Sequence, residues 1–193
     1  MPQTGSLAPT TLEPGTYTQL RLGVSSAVLR VKGADIPLAV PSEKVRTDRN
    51  FELLEGGAVA LTVDFDLSRS IVATGSGQYH FKPVLHLVET ARAVSIVGDL
   101  ADATFDGTAE AQVVVTRDAD GSGGLSAGDE EHTRLAVPKA NPEPTRFHVL
   151  WLMPSEGYTV RVEVGGVDVY TEFVAPEDLP PGADFALNGG API

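Results

Sequence analysis

Val59-Ala60-Leu61-Thr62-Val63-Asp64-Phe65-Asp66 alternates between two kinds of side chain, residue by residue. Side chains of a strand point to opposite faces in turn, so this run places Val59, Leu61, Val63 and Phe65 on one face and Ala60, Thr62, Asp64 and Asp66 on the other. Tyr158-Thr159-Val160-Arg161-Val162-Glu163-Val164 repeats the pattern, with Tyr158, Val160, Val162 and Val164 facing in. Leu20 and Leu22 are set apart from Gln19 and Arg21 in the same way.

Working outward from these runs, further strands are predicted over 27–31, 36–40, 79–81, 84–88, 94–97, 111–116, 134–137, 147–152 and 167–173. Turn signals separate them: Glu13-Pro14-Gly15, Lys32-Gly33-Ala34-Asp35, Glu55-Gly56-Gly57, Pro154-Ser155-Glu156-Gly157 and Gly165-Gly166. Many short strands at such spacing predict an all-β chain of mostly antiparallel β-sandwich modules with very little helix. The one helix expected is Leu67-Ser68-Arg69-Ser70-Ile71-Val72-Ala73, with Asp66 as its N-cap. A boundary near residues 89–93 gives modules over 1–90 and 91–175. The stretch 176–193, with Leu179-Pro180-Pro181-Gly182 and Asn188-Gly189-Gly190, is expected to be an extended or disordered tail.

The 193 residues include 42% hydrophobic ones, enough for a core without covalent staples. Cysteine is absent, which excludes disulfides and thiolate metal sites. A formal net charge of -12 argues against nucleic acid and against an anionic membrane surface. No apolar run reaches the roughly 20 residues of a membrane helix, so no membrane insertion is expected.

The stretch with readable chemistry is Asp118-Ala119-Asp120-Gly121-Ser122-Gly123-Gly124-Leu125-Ser126-Ala127-Gly128-Asp129. Calcium takes six to eight oxygens, and a twelve-residue loop supplies them from positions 1, 3, 5, 7, 9 and 12. On that template Asp118, Asp120 and Ser122 offer side-chain oxygens, Gly124 its carbonyl, Ser126 a water-mediated contact, and Asp129 closes the shell. Gly123 permits the turn at position 6, and Leu125 is expected to pin the loop to the core. Position 12 is an aspartate rather than a glutamate, and Glu130 is an alternative ligand there. The flanks read as strands, so the loop caps a hairpin and the ion, Ca2+, would be structural. A metal-free Gly/Asp-rich hairpin turn would use the same residues.

Other clusters carry less. Asp64 and Asp66, with Ser68 and Ser70, suggest a second cation site or, more simply, a solvated face and a helix cap. His80 and His86 are six apart with Pro83 between, and zinc needs more ligands than two. His132 and His148 stand alone in sequence. Trp151, Tyr17, Tyr79, Tyr158 and Tyr170 would make a sugar-stacking platform if exposed in a row; Trp151 lies in a run that is apolar on both faces, which predicts core packing. No Gly-x-Ser-x-Gly elbow and no phosphate-loop lysine occurs, so no enzyme is expected.

Four stretches resemble a known family in order and spacing: Leu12-Glu13-Pro14-Gly15-Thr16-Tyr17-Thr18-Gln19-Leu20-Arg21-Leu22, Val40-Pro41-Ser42, Asp64-Phe65-Asp66-Leu67-Ser68-Arg69-Ser70-Ile71-Val72 and Tyr79-His80-Phe81-Lys82-Pro83-Val84. Over about residues 12–88 the chain resembles domain of unknown function 4382, found in secreted proteins and lipoproteins of bacteria and archaea. The resemblance implies a surface or envelope location and no enzymatic activity. Family members usually carry further strands before the Pro-Gly-Thr-Tyr motif; either the chain is a truncated piece or another segment or chain completes the fold, and a missing strand would leave an open edge through which subunits can exchange strands. The second half, through Gly157-Tyr158-Thr159-Val160-Arg161-Val162, is similar to prealbumin-like or carboxypeptidase-regulatory-like β modules; Greek-key or prealbumin-like topology is what this implies. Together these readings predict a non-enzymatic secreted or cell-surface protein with a structural, adhesive or assembly role. The alternative is a carbohydrate-binding accessory module.

Overall fold

The computed structural model describes residues 5–7, 9–40, 44–47, 49–75, 78–105, 107, 109–140 and 145–193. The chain is all-β and mostly antiparallel, with one short α-helix among the described residues. The first half is built from β1 (Gly15–Tyr17), β2 (Leu20–Gly23), β3 (Ala27–Val31), β4 (Ala34–Leu38), β5 (Lys44–Thr47), β6 (Phe51–Leu53), β7 (Leu61–Phe65), α1 (Leu67–Ser70), β8 (Ile71–Ala73), β9 (Tyr79–Phe81) and β10 (Leu85–Glu89). These strands pair two by two: β1 with β6, β2 with β5, β3 with β4, β7 with β10 and β8 with β9.

Turn chemistry explains the tightest ribbon. Lys32 and Gly33 both have positive φ, 49° and 84°, and close the two-residue link from β3 to β4. The expected helix is shorter than its pattern. Asp66 caps it, accepting from the Arg69 N–H, but it stops at Ser70. Ile71 and Val72 are β-branched and enter β8, which has β9 to pair with.

The second half comprises β11 (Val94–Leu100), β12 (Glu110–Arg117), β13 (Glu130–Pro138), β14 (Thr145–Leu152), β15 (Tyr158–Val164), β16 (Val167–Val174) and β17 (Asp184–Ala186). One sheet runs β14-β11-β17 and the other β13-β12-β15-β16. They pack face to face around one cluster: Val94, Ile96 and Leu100 of β11 with Val149 and Leu152 of β14 meet Val113 and Val115 of β12 and Tyr158, Val160 and Val162 of β15. The second half is thus a β-sandwich. Gly98 pairs with Phe147, and any Cβ there would lie 2.5 Å from the Phe147 ring; the glycine lets that ring fold across β11.

The last eighteen residues overturn the expectation of a loose tail. Leu179 and Leu187 are each 1% exposed and belong to the core cluster. β17 pairs parallel with β11, and the Ile193 N–H donates to the Asp99 carbonyl at 2.8 Å. The Pro180-Pro181-Gly182 turn delivers the chain to the unpaired edge of β11. Asn188 and Gly189, both at positive φ, turn it back so that Ile193 packs against the core. The motifs that suggested disorder are turns between packed pieces.

The halves touch through α1 against β13 and through Arg49, whose guanidinium donates to Glu156 Oε1 at 2.6 Å.

Candidate metal centre

β12 and β13 form a hairpin whose ladder ends at Arg117 opposite Glu130. Residues 118–129 span its tip. Gly121 and Gly123 take φ of 70° and 78°, a region closed to most side chains, and this folds the segment back on itself. The aspartates then organise the backbone. Asp118 Oδ1 accepts from the Ser122 N–H and Oδ2 from the Gly123 N–H. Asp129 Oδ1 accepts from the Ala119 N–H and Oδ2 from the Ser126 N–H. Asp120 Oδ1 accepts from the Ser122 N–H, while Oδ2 takes the Ser126 hydroxyl at 2.8 Å. The Ser126 hydroxyl, then that of Ser122 and its N–H, hold the Asp120 carboxyl below the usual carboxylate range.

These bonds aim one carboxylate atom each of Asp118, Asp120 and Asp129 to within 4.8 Å of one another. Among the described residues this is the one place where three such groups converge. Each carboxylate oxygen keeps a second lone pair beyond the N–H or hydroxyl it accepts. Ser122 Oγ donates to the Gly124 carbonyl at 3.2 Å, so positions 5 and 7 of the template also lie side by side. Ser126 Oγ donates to Asp120 and accepts from the Gly128 N–H.

Two expectations change. Leu125 does not anchor the loop: it is 55% exposed. The anchor is polar, the Asp118 N–H donating to the Gly157 carbonyl at 3.0 Å. Glu130 pairs with Arg117 at 2.8 Å instead of turning into the loop. Arg117 also stands 3.6 Å from Glu156, tying the base of the hairpin to the turn before β15.

The remaining candidates fall elsewhere. Asp66 is spent as a cap and Asp64 lies opposite His86 in the β7–β10 ladder. His80 is exposed on β9, apart from His86. His132 is not isolated: its ring packs against that of His86, tilted by 33°, with centroids 4.0 Å apart. His148 Nε2 lies 3.2 Å from Ser95 Oγ, and Ser95 donates to Asp184. This trio has the residue types of an acyl-transfer triad but not its order. Asp184 faces the same Nε2 at 3.9 Å rather than orienting the ring from Nδ1, and the serine stands between acid and base.

Of the aromatic candidates, Tyr79 and Tyr170 are half-buried. Tyr158 is fully buried, and Tyr17 stacks on Phe51 at 5.1 Å. Trp151 is half-buried rather than in the core. It sits at φ 65°, where β14 carries extra residues opposite Ser95. Sequence reading missed the His86–His132 contact because its partners lie 46 positions apart and only the docking of the halves joins them.

No curated protein and no solved structure matches the chain. Residues 3–83 match the family model described as a domain of unknown function (DUF4382), which covers the ribbons and the short helix of the first half up to β9.

Proposed function

We propose that the chain is a non-enzymatic β protein of the cell surface or extracellular space, with a structural calcium ion at the β12–β13 tip. The observation that carries this reading is the convergence of Asp118, Asp120 and Asp129 within 4.8 Å in a loop of calcium-type spacing. Three carboxylates so close repel one another, and a divalent cation relieves that repulsion. The ion would tie the hairpin to the β14–β15 turn through Asp118 and Gly157, stiffening one end of the sandwich.

The non-enzymatic part of the reading follows from the sequence, which holds no Gly-x-Ser-x-Gly elbow and no phosphate-loop lysine. A cleft of about 170 Å³ between the halves is lined by Arg49, Phe51, Leu61, Leu87, Arg92 and Met153. The surface role rests on the family resemblance of the first half, whose paired strands leave open edges to which another strand can add.

Thermal melting with calcium against chelator tests the site. An ion bound only by the folded chain adds about 2.7 kcal/mol at a hundredfold excess over its dissociation constant. Asp120→Asn should abolish the gain. A midpoint indifferent to calcium discards the assignment. The same samples, run by size exclusion with light scattering, test assembly: a monomer under all conditions rejects it.

A further inference from the structure

We propose that the two halves meet through an acid-labile histidine pair, His86 packed ring to ring with His132, and that charging His132 separates them. This goes beyond the calcium reading and does not depend on it.

The geometry starts from a bulge. In the β12–β13 ladder Val115 faces Thr133 and Thr116 faces Glu131, leaving His132 unopposed. A bulge redirects the extra side chain. Here it points His132, 8% exposed, at the first half, where its ring lies 4.0 Å from that of His86 at an interplanar angle of 33°. On its other side the edge of Tyr158 packs at 5.6 Å. The His86 Nε2 and Asp66 Oδ2 are both buried, both lack a hydrogen-bond partner, and lie 3.9 Å apart. Asp66 is fixed by the Ser68 hydroxyl and the Arg69 N–H on its other oxygen.

The acidic groups at the pair lie on the His86 side: Asp66 Oδ2 is 3.9 Å from His86 Nε2, and Asp64 stands across the β7–β10 ladder from His86. A positive charge on His132 would be buried against the other ring. The groups around His132 are Asp66, which His86 already engages, and the cations Arg69 of α1 and Arg49 ahead of β6. From β15, Tyr158 offers its ring edge, its hydroxyl being engaged with Glu156 and the Met153 N–H. Of this set only Asp66 favours a charged His132, and Arg69 and Arg49 oppose it while the rings remain in contact. Consistent with that, burial first and His86 next push the His132 imidazole down to about 3. Separated from His86 and wetted, it would return to about 6.5.

The direction follows. A histidine whose value is lowered in the closed state favours closure fully above its ordinary value. That advantage is lost as pH falls from about 6.5 toward 3. At pH 5 the open junction gains about 30-fold in population over pH 7.5 from this one group. Asp66, held low by His86, Ser68 and Arg69 against the raising effect of burial, acts in the same direction at the acid end.

Hydrogen exchange of the intact chain, read by mass spectrometry and corrected for the intrinsic rate at each pH, tests the proposal. Between pH 7.5 and 5, amides of residues 67–72 and 130–135 should exchange about 30-fold faster, while those of β11 and β15 stay protected. His132→Gln should remove the pH dependence. His132→Phe, which keeps a ring but no charge, serves if the glutamine variant unfolds. The proposal is overturned if the junction is insensitive to pH in the unaltered chain, if both variants keep the sensitivity, or if every segment loosens together.

Discussion

In β15, Tyr158, Val160 and Val162 are fully buried and Val164 is 8% exposed; in β7, Leu61 and Val63 are half-buried and Phe65 is 37% exposed. The two strands carry the same alternation. β15 lies between β12 and β16 and faces a second sheet, so its apolar side meets neighbours on every side. β7 has β10 alone as its ladder partner, and its polar face is half-covered as well: Thr62 and Asp64 are as buried as Val63. Alternation specifies which side chains share a face, but the depth of burial is set by how many layers come to cover it. The second half has a continuous core; the first is a set of ribbons, each marginal alone, that draws stability from its neighbours.

The strongest way to break this contrast is to cut a leucine from each half. Leu152 is fully buried at the end of β14, whereas Leu61 lines the cleft between the halves. Leu152→Ala leaves a cavity enclosed by both sheets and should cost about 3–5 kcal/mol. Leu61→Ala removes a side chain already in partial contact with water and should cost about 1–2 kcal/mol. Denaturant midpoints of the two variants decide the matter, and equal losses would mean that the first half is as tightly packed as the second.

The contrast also explains what could be read in advance. The all-β class, β3, β9 and most of β12, β14, β15 and β16 follow from local apolar patterns and turns; in β3 and β15 the burial also tracks the alternation. The loop at the β12–β13 tip was legible as a hairpin connection because its oxygen-bearing residues and turn glycines fall within one twelve-residue stretch. Ile71-Val72-Ala73 of β8 read as the end of the helix, and β5 and β6 went unseen because their few apolar residues stand among charged ones. β17 was hidden among prolines and glycines because its place is given by the open edge of β11, a long-range fact. The His86–His132 contact and the exposure of Leu125 depend on docking and on loop direction, neither of which residue types specify.

Asp66 offers a sharper probe of the seam between the halves. Its Oδ1 caps α1 and its Oδ2 faces His86. Asp66→Ala removes both and leaves the Arg69 N–H without its acceptor, a loss of about 1–2 kcal/mol by the usual worth of a cap. Asp66→Asn keeps a capping oxygen but removes the charge, so at neutral pH it should cost less than the alanine. The asparagine variant also lacks a carboxylate whose value is lowered in the folded state. It should therefore lose less stability than the unaltered chain as pH falls below about 4. Equal losses for the two variants at neutral pH would show that the cap contributes nothing.

The smallest effects belong to the ion pairs, and their ranking again separates the seam from the ribbons. Arg49 reaches from the first half to Glu156, whose side chain is only 14% exposed, and Glu156 also receives the Tyr158 hydroxyl. Truncating Arg49 leaves that carboxylate with Tyr158 and, at 3.6 Å, Arg117, so Arg49→Ala should lower stability by at most about 1 kcal/mol. Arg30 makes the better-formed pair, gripping both oxygens of Asp35 at 2.6 and 2.8 Å across the β3–β4 ribbon. The two side chains are 74% and 52% exposed, however, and water screens what geometry offers. Arg30→Ala should therefore leave the melting midpoint where it was, despite removing two short hydrogen bonds against one for Arg49. A larger loss at Arg30 than at Arg49 would reverse the ranking and place the weak point of the molecule inside the ribbons rather than between its halves.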